Sequence, residues 1–177
     1  MRKHLVLTAS GNDRPGVVED FTKLILHFEG NVETSRMTRL GGAFAMLMLI
    51  SAPEGALESL RAALAELHYA KYDVHTRLTE VQEVPGGAAY IPCGITVSGA
   101  DHMGIINKIA GYLAEQGINI ETMNTEVVAA PMSGAPLFTM SAVIRVPNRL
   151  DLADVREALE FIGDEMGVET ATFAHVD

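Results

Sequence analysis

Two apolar stripes at helical spacing organise this chain. In the first, Val17, Val18, Phe21, Leu24 and Ile25 fall at relative positions 0, 1, 4, 7 and 8. In the second, Ile105, Ile106, Ile109, Tyr112 and Leu113 fall at the same positions. That spacing predicts the buried face of an amphipathic helix. An apolar run precedes each stripe, Leu5 to Ala9 and Gly94 to Ser98, and reads as a buried strand. Glycine-bounded loops join strand to helix: Gly11-Asn12-Asp13-Arg14-Pro15-Gly16, and Gly99-Ala100-Asp101-His102-Met103-Gly104. Pro15 is placed at the start of its helix, where its fixed φ fits and its missing N–H costs nothing. The first helix is expected to run to about Phe28, with Gly30 as its C-terminal cap, and the second to stop at Gly117. The exits match as well, Asn31-Val32-Glu33-Thr34 and Asn119-Ile120-Glu121-Thr122.

The apolar spacing and the Asp, Gly, Asn, Glu and Thr of loop and exit all recur 88 positions later, so the chain is a tandem duplication. Val32, Thr34, Arg36 and Thr38 alternate with Glu33, Ser35, Met37 and Arg39, predicting a strand with one wet face. Gly41-Gly42 marks a tight hairpin, Ala43 to Ser51 the returning strand, and Pro53 its end. Leu57, Leu60, Leu64 and Leu67 mark a second helix, and Tyr72, Val74, Thr76 and Leu78 a fourth strand. The second half repeats this through Phe138, Met140 and Ile144, then Leu152, Val155, Leu159 and Ile162, with a last strand from Val168 to Val176. The offset is 94 at Phe138, Met140 and Ile144 and 95 at the helix leucines, and the jump from 88 to 94 places a six-residue insertion in the hairpin loop Ala129 to Pro136. That loop is expected to be plain surface loop rather than a flap.

The order β-α-β-β-α-β predicts the α+β class: two ferredoxin-like units in tandem, each a four-stranded antiparallel sheet with two helices on one face. Residues 1–83 form the first unit, the Pro/Gly-rich stretch 84–92 the linker, and 93–177 the second unit.

Composition narrows the function. Of 177 residues, 48% are hydrophobic, enough for a core in each half. The net charge of −10 repels phosphate backbones, so direct nucleic-acid binding is not expected. A single cysteine, Cys93, excludes an internal disulfide and fits a reducing compartment; it is expected to be buried and inert. The basic start Met1-Arg2-Lys3 lacks a long apolar run and a cleavage site, so no signal peptide is expected. No apolar run approaches the ~20 residues of a membrane span. A cytoplasmic protein is the expectation.

No nucleophile elbow, Walker loop or dinucleotide fingerprint occurs. The six histidines show no metal-ligand spacing. An enzyme, a metal site and a cofactor are therefore not expected. What remains is the strand–loop–helix junction, twice. A helix N-terminus presents unpaired amides and partial positive charge, which attract carboxylates. Asp13 and Asp101 put a carboxylate beside that end, a pairing that complements a zwitterion. Gly16 and Gly104 let backbone approach a ligand, or serve tight helix–strand packing. The aspartates can equally be helix caps. Asn31 and Asn119 offer a donor and an acceptor, or are turn residues. His102 stands where the first half has Arg14, and reads as a solvated loop residue or a ligand contact. Met46, Met48, Met123 and Met140 lie on strand patterns and read as core or interface filler.

At Asp-Arg-Pro-Gly-Val-Val and Asn-Val-Glu-Thr the sequence resembles ACT domains, small βαββαβ modules that regulate amino-acid metabolism. Two in one chain of this length are similar to the family of glycine cleavage system transcriptional repressors. The resemblance implies amino-acid binding in the first strand–helix loop, often at an interface between modules. It carries over Asp13, Arg14, Pro15, Gly16, Asp101 and Gly104, with Asn31 and Asn119 at the head of the second strand. It also implies a repressor that contacts a DNA-binding protein partner, with glycine as the effector. In the second loop His102-Met103 replaces Arg-Pro, a departure from the family pattern. The expected function is thus an amino-acid-responsive regulator that acts through a protein partner and forms homo-oligomers through its edge strands. The alternatives are an accessory subunit controlling a metabolic enzyme, and a ligand-free dimerisation module.

Overall fold

The computed structural model describes residues 1–67, 72–80, 90–131 and 133–174. The chain divides into two compact units, Met1–Glu83 and Val84–Asp177. In the first, β1 (Arg2–Asn12) leads to α1 (Val17–His27), β2 (Asn31–Leu40), β3 (Ala43–Pro53), α2 (Leu57–Glu66) and β4 (Tyr72–Thr79). The second repeats the order as β5 (Tyr90–Ala100), α3 (Ile105–Glu115), β6 (Asn119–Ala129), β7 (Pro136–Pro147), α4 (Leu152–Met166) and β8 (Val168–Ala174). Each unit is one antiparallel four-stranded sheet, ordered β2-β3-β1-β4 and β6-β7-β5-β8. The expected fold class is what the structure has.

Residues 84–89 of the expected linker lie outside the described residues, and Tyr90–Pro92 already belong to β5. The end of the expected last strand, 175–176, also lies outside them.

Alternation builds each core. In β1, Leu5, Leu7 and Ala9 point inward and meet Val17, Phe21 and Ile25 of α1 and Leu57, Leu60 and Leu64 of α2. In the second unit Ile95 and Val97 meet Ile105, Ile109 and Leu113 of α3 and Val155, Leu159 and Ile162 of α4. The buried helix positions are 0, 4 and 8. Val18 and Ile106, at position 1, are 43% and 41% exposed, against the expectation of a five-residue buried face. One residue further round the helix is 100° away from the core-facing line, and nothing in the unit covers it there.

β2 departs from the expected strand with one wet face. Only Val32 is even half-buried. A bulge at Glu33 breaks the alternation, so Val32 shares the face of Ile50 while Ser35 and Met37 pair with Met48 and Met46. The strand is also an edge of the sheet, paired on one side only. β6 carries the same bulge between Ile120 and Thr122.

The end of the first helix also differs from expectation. Phe28 is the C-cap, and Glu29, not Gly30, takes the left-handed conformation at φ 56°. Glu29 N donates to Leu26 O at 3.0 Å and Gly30 N to Ile25 O at 2.8 Å, which makes a Schellman motif. Gly30 serves close approach instead: a Cβ there would lie 2.9 Å from Ile25 O. In the second unit Gly117 fills the left-handed position at φ 69°, and Ile118 N donates to Leu113 O at 2.8 Å. Gly41 and Gly42 both have positive φ, as a two-residue hairpin turn requires.

Candidate functional site

Each strand–helix loop is held by its backbone to the tip of the neighbouring hairpin. Asp13 N donates to Gly42 O at 3.0 Å, and Asp101 N to Pro136 O at 3.1 Å. Val17 N closes a turn on Arg14 O at 3.4 Å. Gly16, at φ 88° and ψ −2°, holds the position of that turn that demands positive φ, with Pro15 before it. Pro15 is therefore a turn residue, and α1 begins two residues later than expected. Gly104 adopts the same conformation, φ 99° and ψ −8°. No backbone lies within 4 Å of a Cβ built on Gly16 or Gly104, so the turn, not packing, requires these glycines.

Neither aspartate caps its helix. The N-cap residues are Gly16 and Gly104, and neither helix has a side-chain cap bond. From there the two loops diverge. Around the first, Asp13 Oδ2 pairs with Arg39 Nε at 3.0 Å. Arg14 pairs with Asp20, and its Nη1 also donates to Pro15 O at 3.1 Å. Its guanidinium lies 5.6 Å from the centre of the Tyr72 ring, and Tyr72 Oη donates to Asp20 Oδ2 at 3.1 Å. Burial, then that bond to Asp20, pushes the Tyr72 hydroxyl up from its usual value. The acids and arginines of this loop thus answer one another. Glu19 and Asp20 stand in the first turn of α1, where their charge opposes the helix dipole.

The second loop is open. α3 has no acid in its first turn. Asp101, His102, Met103 and Gly104 line a groove of about 630 Å3 together with Ile106, Ala110, Thr125, Val127 and Phe138. Both nitrogens of His102 face carbonyls, Nε2 that of Met166 at 2.6 Å and Nδ1 that of Met103 at 3.2 Å. A carbonyl only accepts, so only the doubly protonated ring donates to both. The Met166 carbonyl, then that of Met103, therefore raises the His102 pKa above its ordinary 6.5, with Asp101 adding a smaller push. His102 is exposed, but it straps the loop to the end of α4 rather than hanging free in solvent.

Asn31 and Asn119 are not brought to these loops within a unit. Each opens the edge strand whose other end reaches the loop. Asn119 is six residues from Thr125 on β6, about 20 Å at the ~3.3 Å rise of a strand. Asn31 Nδ2 instead donates to Glu33 Oε1 at 3.2 Å, and Ser51 Oγ donates to the same carboxylate oxygen at 2.5 Å. The Ser51 bond, then the Asn31 bond, holds the Glu33 carboxyl below its usual value. In the second unit Arg145 takes Glu121 with two bonds, of 3.1 and 2.7 Å.

Sequence reasoning missed Arg39, Asp20 and Tyr72 at the first loop, and Ile106, Thr125, Val127 and Phe138 at the second. The hairpin held a signal: a strand that starts at the far end must finish beside the loop, carrying Arg39 or Val127 there. A second groove of about 570 Å3, bounded by Lys3, His4, Glu54 and Glu80, touches none of the expected site residues. Cys93 is 1% exposed, and burial raises its thiol pKa, which keeps it an unreactive thiol. Met46, Met48 and Met140 are buried, and Met123 packs on the core. Among the described residues no helix is long and apolar enough to cross a membrane. No group of three or more metal-ligating side chains occurs among them either.

Comparison with known proteins agrees with the fold. The glycine cleavage system transcriptional repressor of Escherichia coli (strain K12) is 24% identical over 94% of this chain and 87% of its own length. A UPF0237 protein of Streptococcus pneumoniae serotype 4 is 32% identical over 42% of this chain and 78% of its own. A solved structure of an unknown protein from Galdieria sulphuraria superposes with a TM-score of 0.82 at 30% identity, covering 99% of this chain and 100% of that one. The model of the ACT domain matches twice, at residues 3–79 and 94–172. With most of its length in those two matches, the chain belongs to the ACT-domain family.

Proposed function

We propose that the chain is a non-catalytic regulator that responds to a small amino acid and acts, in the cytoplasm, through a protein partner such as a DNA-binding regulator. The observation that carries this reading is the second loop, where Asp101 and the uncapped amide end of α3 border one groove. A zwitterion fits that pair, its carboxylate toward the amides and its ammonium toward Asp101. Similarity to a transcriptional repressor favours a regulatory output. The net charge of −10 favours an output through protein rather than through DNA.

The ligand-binding residues of this reading are Asp101, His102 and Gly104 in the second loop; the matching first-loop positions are Asp13, Arg14, Pro15 and Gly16, where Asp13 is already paired with Arg39 and Arg14 with Asp20. Asn31 and Asn119 join a site only through a neighbour. Antiparallel pairing of an edge strand with the same strand of a second copy brings the asparagine of one strand toward the loop of the other. A ligand held there favours the paired arrangement. A tenfold preference for that arrangement is worth about 1.4 kcal/mol.

A thermal-shift panel of the common amino acids tests the reading. A ligand at 100 times its Kd stabilises the protein by about 2.7 kcal/mol, and Asp101→Asn removes that response while the fold survives. No shift with any amino acid would leave the ligand-free dimerisation module as the better description.

A further inference from the structure

The duplicated loops are not equivalent as binding surfaces. In the first, Asp13 is matched by Arg39 and Asp20 by Arg14, and the start of α1 already carries two acids of its own. In the second, Asp101 makes no side-chain ion pair among the described residues, and both His102 nitrogens are turned to backbone carbonyls. The groove beside Asp101 holds about 630 Å3. Its wall is apolar: Ile106, Ala110, Val127 and Phe138 line it, with Ile106 41% and Val127 52% exposed. Carboxylates, Asp101 and Glu126, lie among the lining residues, and His102 is the one lining side chain able to carry positive charge. A groove of that shape and sign complements an ammonium group attached to an apolar body.

We infer that the second module takes an amino acid with a branched or aromatic apolar side chain, and that the first module's self-paired loop takes none. The ammonium lies at Asp101, the carboxylate at the amides that open α3, and the side chain along Ile106 and Val127. This rests on reading the loop as an amino-acid site, and it adds which loop and which class of side chain.

Titration calorimetry on the full chain tests it, with glycine, leucine, phenylalanine, isopentylamine and 4-methylpentanoate as probes. Leucine or phenylalanine should bind at least tenfold more tightly than glycine, and tighter than either half-ligand, because an apolar wall discriminates by about tenfold or more per buried methylene. Asp101→Asn should weaken binding at least tenfold and Asp13→Asn leave it unchanged. Val127→Ala, on an exposed position that tolerates truncation, should weaken leucine several-fold and leave glycine alone. Glycine binding as tightly as leucine, or loss of binding in Asp13→Asn but not in Asp101→Asn, overturns this inference and leaves the amino-acid reading standing. No heat with any amino acid overturns both.

Discussion

Glu29 and Gly117 hold the same left-handed position after their helices, at φ 56° and 69°. Only glycine takes that conformation without a steric cost, which for other residues is roughly 1 kcal/mol. The bonds that fix the turn there come from backbone groups. Glu29→Gly should therefore stabilise the first unit by up to about 1 kcal/mol in urea denaturation, since it leaves every backbone bond in place. The sequence misled here because Gly30 looks like the cap, whereas close packing on Ile25 is what requires it. His102 gives a second residue-level prediction. Its folded-state pKa is raised, so its stabilising effect is present in full below about 6.5 and is lost as pH rises through the folded value. His102→Ala should destabilise the second unit at about pH 5.5 and do little at about pH 9, read by denaturation at the two pH values. An equal loss at both would place the His102 effect in packing rather than charge.

Among the elements, helix α4 and strand β8 meet through Gly163. A Cβ there would lie 2.7 Å from Val168 O and 2.7 Å from Thr170 Cγ2. Alanine is the better helix former by about 1 kcal/mol, but a backbone carbonyl at that distance cannot yield cheaply. The clash wins, and Gly163→Ala should cost about 1–3 kcal/mol in denaturation of the second unit. Helices and strands were legible because periods of 3.6 and 2 are printed in the chain, as Val17, Phe21 and Ile25 or Leu5, Leu7 and Ala9 show. The bulge at Glu33 was not legible. One unpaired residue leaves no mark on composition, yet it moves every later side chain of β2 to the other face. The exposure of β2 followed from its place at the sheet edge, a property of topology rather than of its own residues.

For the whole molecule, duplication made the architecture plain, and divergence between the copies shaped the site. The repeat of Asp, Gly, Asn, Glu and Thr located both loops from sequence alone. It could not show that Asp13 meets Arg39 or that His102 reaches Met166, because those pairs join residues distant in sequence. Nor could it show that Asn31 and Asn119 stand a strand's length from the aspartates that repeat with them. The copies share a fold, but in the second the loop borders a groove and the helix that follows starts without acids of its own, whereas α1 starts with Glu19 and Asp20. The central claim is that this second loop holds a free amino acid at its amides. The most direct measurement is the backbone amide spectrum of the labelled chain, titrated with amino acids. The account predicts saturable shifts centred on residues 101–107, with the equivalent amides 13–19 unmoved. Shifts confined to 13–19, or to the groove of Lys3 and Glu80, would contradict it.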